Sequence, residues 1–317
     1  MHHLPVQEEI DGMTQGGEAV TENNARPRRG SGIDYAKKRA QQAVARQSGQ
    51  LQTISASEVL QLSFPQWDEN RRGVPNPFIR GGLFTTRKDS EREQIQKGAI
   101  ASLSNFDISY TGEELRQDDL SVWIAIVNAG KERPLGEPIY FTAYSLIKDL
   151  GWRMHSQSYE RLRNCIERMK VTALQLRFNQ GRSGYVGSII RDYAFDAVND
   201  DGNASWMVRL ESKISSLFSF DQTTLLEWQQ RRMIGTRATL TLWLHTFYSS
   251  HASPMPFSVE KFHELCRSEE KKMSNFKIRL RQSLERLVEI DFLENYRITD
   301  TNMVHVTKRK HRLLEAA

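Results

Sequence analysis

Cysteine is nearly absent from this chain: its 317 residues hold two, Cys165 and Cys266. Two thiols cannot build a disulfide framework, and thiolate metal sites need their ligands in clusters. Both fall at apolar positions of helical periodicity, so they are expected as reduced core residues. Long apolar runs are missing too, and none approaches the ~18 residues of a membrane span. Met1-His2-His3-Leu4 leads into acidic sequence without a leader pattern. These absences predict a soluble, cytoplasmic protein with no membrane contact. Catalytic signatures are equally sparse. No P-loop glycine-lysine motif occurs, and His263-Glu264-Leu265-Cys266 lacks the second histidine of a zinc-protease helix. Carboxylates are many, but none cluster in an acid–base pattern. Tyr110, Tyr140 and Tyr144 would be the candidates for a DNA-nicking tyrosine, but no His-x-His strand supplies the metal such a nuclease needs. They are read as core or surface aromatics. The chain is expected to be no enzyme and to hold no metal or cofactor.

What is present suits globular cores. Hydrophobic residues make up 38% of the chain, with 14 Phe, 9 Tyr and 6 Trp. At about 150 residues per domain, the length suggests two domains plus tails. The net charge of +5 and pI near 9.1 lean towards a polyanionic partner.

The most informative stretch is Lys271 to Ile290. Met273, Phe276, Leu280, Leu284 and Leu287 recur at three- and four-residue steps, one stripe of an α-helix. The other face carries Lys271, Lys272, Ser274, Asn275, Lys277, Ile278, Arg279, Arg281 and Gln282, with Glu285 and Glu289 only towards the end. A helix macrodipole favours the opposite order of charge. Two readings are open: a solvated amphipathic helix, or a recognition helix whose N-terminal half meets DNA. In the second, Asn275, Arg279 and Gln282 face base edges.

The surroundings favour the second reading. Residues 1–32 are polar and aperiodic and are expected to be disordered. Residues 33–82 read as a helical segment followed by a linker, with RRGVPNPFIRGG (71–82) as loop. From Leu83 the pattern is short strands (LFTTR, NFDISYTG), a helix from Glu113 to Ala129, strand GEPIYF, and a short helix capped by Thr142. A helix from Ser156 to Lys170 follows, with Tyr159, Leu162, Cys165, Ile166 and Met169 as its stripe and Arg161, Arg163, Asn164 and Arg168 on its polar face. Then come the β-like segments TALQLRF, YVGSIIRDYAF and SWMVRLE. The order recurs: helix 236–251, strand and a cap at Ser258, the helix of 271–290, and a hairpin of FLENYRI and MVHVTKRK. Phe141, Thr142 and Leu146 match Phe257, Ser258 and Phe262 at an offset of 116. The fold class expected is α+β and helix-rich: tandem winged-helix (helix-turn-helix) domains, residues 83–220 and 221–317, behind a disordered or extended N-terminal region. Lys308, Arg309, Lys310 and Arg312 after the last strand are expected on the phosphate backbone. The first module's cations are expected either on DNA or at a subunit interface.

GLFTTR at 82–87, ISYTGEELRQDD at 108–119, GEPIYFTAYSLIKDLGW at 136–152 and YSSHASPMPF at 248–257 resemble the TrfA family of plasmid replication initiators. The resemblance spans about residues 78–307. It implies two winged helices on double-stranded iteron repeats of a plasmid origin, duplex opening, and recruitment of the host initiator DnaA and replicative helicase. It also implies active monomers in equilibrium with inactive dimers. The family's QLSLF-type segment docks in the host sliding clamp. Here Gln61-Leu62-Ser63-Phe64 is one residue short, so Leu62 and Phe64 either still anchor in the clamp or pack back on the body. The runner-up to an initiator is a tandem winged-helix transcriptional repressor.

Overall fold

Arg71–Pro75 form a strand and Asn76–Ile79 a helical turn, where two prolines and three glycines suggested loop. The strand pairs antiparallel with Thr223–Glu227. Pro75 closes the strand and Pro77 lies in the helix's first turn, positions where a missing N–H costs no ladder bond. Val74, Phe78 and Ile79 are at most 1% exposed. Their burial overrides the local turn chemistry, and the folded body therefore starts well before Leu83. The computed structural model describes Phe64 and residues 66–89, 91–103, 107–178, 183–196, 205–218 and 223–309. The expected N-terminal tail, the helical segment of 33–60, and Gln61, Leu62, Ser63, Lys310 and Arg312 lie outside the described residues.

In chain order the elements are β1 (Arg71–Pro75), α1 (Asn76–Ile79), β2 (Phe84–Thr85), β3 (Gln94–Ile100), β4 (Asp107–Glu113) and β5 (Leu115–Arg116). Next are α2 (Gln117–Ala129), β6 (Ile139–Thr142), α3 (Ala143–Asp149), α4 (Ser156–Lys170), β7 (Ala173–Phe178), β8 (Ser183–Gly187), β9 (Ile190–Phe195) and β10 (Ser205–Leu210). The last are β11 (Thr223–Glu227), α5 (Trp228–Ile234), α6 (Thr239–Ser249), β12 (Phe257–Ser258), α7 (Val259–Leu265), α8 (Met273–Glu289), β13 (Leu293–Ile298) and β14 (Met303–Lys308). The chain is mixed α/β. Among the described residues no helix is long and apolar enough to cross a membrane.

Two stretches repeat one plan. α2–β6–α3–α4–β9–β10 and α6–β12–α7–α8–β13–β14 each run helix, strand, two helices, two strands. Their sheets have the same order, β6-β10-β9 and β12-β14-β13, with the first strand beside the last. The second helix of each is capped by a hydroxyl: Thr142 accepts from the Ser145 amide at 3.0 Å and Ser258 from the Lys261 amide at 3.1 Å. Such caps satisfy a helix-end donor that has no intrahelical partner.

The first copy is interrupted. TALQLRF (β7) joins a four-stranded sheet of order β3-β4-β7-β8, away from the β9–β10 hairpin. YVGSIIRDYAF is two strands, cut where the Ser188 hydroxyl donates to the Ile190 carbonyl at 2.7 Å. Consecutive Ile189 and Ile190 are both fully buried, which one alternating strand cannot achieve. β3 was missed in the sequence because a bulge between Ile95 and Gly98, with Lys97 at φ 48, breaks its alternation. α2 starts at Gln117 rather than Glu113. There the Arg116 amide donates to the Asp119 carboxylate at 2.8 Å and closes a capping box.

Two hydrophobic clusters hold the body, one from Phe64 to Trp228 and one from Ile234 to Val304. The α8 stripe behaves as expected: Phe276, Leu280, Leu284 and Leu287 are fully buried in the second cluster. In α4, Leu162, Cys165, Ile166 and Met169 are fully buried, whereas Tyr159 stays outside at 38% exposure. Both cysteines are free and buried. Phe64 is 3% exposed and meets Phe218 edge-on with ring centres 5.0 Å apart. Of the two expectations for Phe64, the structure shows the second: it packs back on the body as a member of the first core.

Candidate nucleic-acid interface

The outer face of α8 presents Ser274, Asn275, Ile278, Arg281 and Gln282, all exposed, behind exposed Lys271 and Lys272. The first turn carries no acid, so the amide ends and the two lysines make one positive pole. Two expected contacts are otherwise engaged. Arg279 is half-buried and ion-paired to Glu270 at 2.8 Å and Glu269 at 3.1 Å. Both carboxylates belong to the segment just before α8, so Arg279 braces that turn and does not project to a base edge in the free chain. Lys277 donates to the Asn302 side chain at 2.6 Å and ties α8 to its hairpin. After the hairpin, Lys308 donates to the His251 carbonyl at 3.1 Å, and burial holds its pKa below the ordinary value. Arg309 pairs with Asp291 at 3.0 Å, with both groups largely exposed.

In α4 the assigned cations separate sharply. Arg163 and Asn164 are exposed, with the Arg163 guanidinium 4.5 Å from the Phe195 ring centre. Arg161 lies over Trp152 at 4.2 Å and reaches Asp118 at 3.3 Å. Arg168 is only 9% exposed and sits 3.3 Å from Asp119 and 3.5 Å from Glu113. Its Nε attracts Asp119 by charge but is too misaligned for a hydrogen bond. In the free chain Arg168 is therefore held as a structural cation and does not project to the surface. The sequence could not show this, because its partners are about fifty residues earlier in the chain.

Asp118, Asp119 and Cys165 converge within 4.8 Å, a grouping of metal-ligand types. Arg92 already occupies it, 2.6 Å from Asp119 and 3.1 Å from Asp118. Burial, with repulsion from Asp118, still pushes the Asp119 carboxyl up to about 6. Burial and the same carboxylates raise the Cys165 thiol well above its ordinary range. The cluster is a charge-balanced knot tying α2 to α4. Of the tyrosines, Tyr110 is buried, while Tyr140 and Tyr144 are exposed. Four further cations, Lys88, Arg153, Arg232 and Arg237, line concave surface running from α4 towards α8. They are too scattered in the chain for any motif to join them.

A family model described as TrfA protein matches residues 27–309. The plasmid replication initiator protein TrfA of Escherichia coli is 30% identical over 286 residues, covering 88% of this chain and 72% of that protein. Among solved structures, RctB domains 2-3 superpose with a TM-score of 0.48 at 14% identity, over 73% of this chain and 96% of that one. Selenomethionine crystals of domains 2 and 3 of RctB give a TM-score of 0.49 at 15% identity, over 75% and 100%. With the family model matching most of its length, this chain belongs to the TrfA family of plasmid replication initiators.

Proposed function

We propose that the protein initiates replication by binding repeated duplex sequences, iterons, at a plasmid origin through two winged helices, with α4 and α8 as recognition helices. It acts in the bacterial cytoplasm by binding alone, without catalysis. The observation that carries this reading is the repeat itself: one element order, one sheet order and one hydroxyl cap, twice in a chain of an initiator family. Two modules on one duplex multiply effective affinity if their spacing fits the repeat. α8 is the stronger reader. Its exposed face begins with Lys271 and Lys272, whereas the exposed face of α4 mixes Arg163 and Asn164 with Glu160 and Glu167. Base contacts are assigned to Asn275 and Gln282, and backbone contacts to Lys271, Lys272, Arg281 and Arg309.

Origin opening and recruitment of the host initiator and helicase complete the reading, as does an equilibrium of active monomers with inactive dimers. Docking on a sliding clamp would require Phe64 to leave the first core. Footprinting on the parent plasmid tests the duplex reading, with protection expected over about two helical turns per repeat. Protection of one turn would leave α4 for dimerisation. Maintenance in trans of a replicon carrying only the origin separates an initiator from a repressor of the same architecture.

A further inference from the structure

A cleft of about 910 Å³ opens between the start of α4 and the α5–α6 connection. Arg153, His155, Arg161, Arg231, Arg232 and Arg237 line it, and among the described residues no Asp or Glu does. Arg153, Arg232 and Arg237 are exposed and take part in no ion pair among the described residues. Arg231 is 3% exposed and satisfied by neutral acceptors alone: Ser121 at 3.0 Å, the Gln117 side chain at 3.2 Å and the Leu242 carbonyl at 3.2 Å. A cation so buried without a carboxylate raises the local positive potential, and burial draws its pKa down to about 9. Gly151, at φ +68, lets the Arg232 guanidinium lie against the turn that precedes α4, since a Cβ there would stand 3.1 Å from its Nε.

The positive surface does not stop at this cleft. A second concavity of about 320 Å³ shares Arg161, Thr236 and Arg237 with it and extends to Lys88; Asp118 also lines it, paired to Arg92 at 3.1 Å and to Arg161 at 3.3 Å. Burial lowers the pKa of Lys88, and the charge of Arg279 in α8 adds to the effect while Glu269 opposes it. The cations thus form a track from the first turn of α4 to the neighbourhood of α8.

We propose that this track holds the phosphodiester backbone of the duplex strand that runs between the two recognition helices. The proposal rests on the duplex-binding reading above. Guanidinium forks match phosphate oxygens. The two indoles in the cleft are already committed. Trp152 and Trp228 are 7% and 5% exposed, with Arg161 over the first at 4.2 Å and Arg72 over the second at 5.4 Å, so neither offers a face for a base to stack on. That favours backbone over an unstacked nucleobase or a free nucleotide.

The test is a full-length Arg153→Ala/Arg232→Ala/Arg237→Ala variant titrated against the footprinted origin repeat over a range of salt. The slope of log affinity against log salt should become shallower by about 2–3, at ~0.9 per lost phosphate contact. Preference for the repeat over its single-base variants should be unchanged. All three side chains are exposed, so the variant should melt with the wild type. If it melts early, Arg237→Glu alone, at an exposed turn, should weaken binding about tenfold. A wild-type slope in either variant overturns the proposal. So does inorganic pyrophosphate that raises the wild-type melting midpoint, but not the variant's, with DNA slopes unchanged; that result would mark a small-anion site. A wild-type chain binding repeat and scrambled duplex alike would sink the recognition reading itself, while the slope comparison would still decide on the track.

Discussion

The Arg279 guanidinium of α8 lies 2.8 Å from the Glu270 carboxylate and 3.1 Å from that of Glu269. The best-placed arginine of the helix is thus neutralised by the turn that leads into it. Arg279→Ala is expected to leave base preference intact, whereas Gln282→Ala should relax one base position by about 1–3 kcal/mol. Glu269→Gln/Glu270→Gln should tighten binding to any duplex, because it removes two like charges from the face that meets phosphate. Competition against single-base repeat variants checks all three. Loss of preference in Arg279→Ala would return that residue to the base edge.

Arg168 separates stability from binding. Truncating it leaves Asp119 buried beside Asp118 with one guanidinium fewer, so Arg168→Ala should cost about 3–5 kcal/mol of stability. Its effect on the salt slope of DNA binding should be nil. Urea unfolding and salt titration of the same preparation read the two quantities, and a changed slope would place Arg168 on the DNA after all.

Phe64 packs against Phe218 and Trp67 at ring distances of 5.0 and 5.9 Å. Phe64→Ala should therefore destabilise the body by about 3 kcal/mol through cavity formation. The wild-type chain should bind the sliding clamp more weakly than a peptide of residues 55–70, which owes nothing to the body. Equal affinity of chain and peptide, with no loss of stability in Phe64→Ala, would show the segment detached in solution.

His245 is fully buried beside Phe292 with neither ring nitrogen hydrogen-bonded, and burial, reinforced by Arg231 and Lys308, lowers its pKa to about 3. The unfolded chain takes up this proton near pH ~6.5 and the folded chain does not. Stability should therefore fall as pH drops from about 6.5 towards 3, by up to ~1.4 kcal/mol per unit. Asp119 acts the other way, since a raised carboxyl pKa gives stability that is lost as pH rises through about 6. The readout is thus the difference between wild type and His245→Phe. The variant should lack the acid-side loss, and parallel pH profiles would show that His245 titrates normally.

Helical stripes were legible in the residues themselves. The period that put Phe276, Leu280, Leu284 and Leu287 on one face is the face the second core buries, and Thr142 and Ser258 announced helix starts by their hydroxyls. These signals are local: a stripe or a cap is decided within a turn or two of chain. The repeated order of elements, the buried cysteines and the family resemblance followed from the same kind of pattern. Only tertiary structure decided which cations are spare. Arg168 and Arg163 look alike in sequence, yet one is locked to Asp119 and the other is exposed, because ion pairs form with whatever the fold brings near. Likewise β7 and β9 have similar strand patterns but belong to different sheets, since a strand's partner is chosen across the chain by available edges and not by its own alternation. The arginine track is of the same kind: Lys88, Arg153, Arg232 and Arg237 share no local pattern and share only the surface that folding gives them.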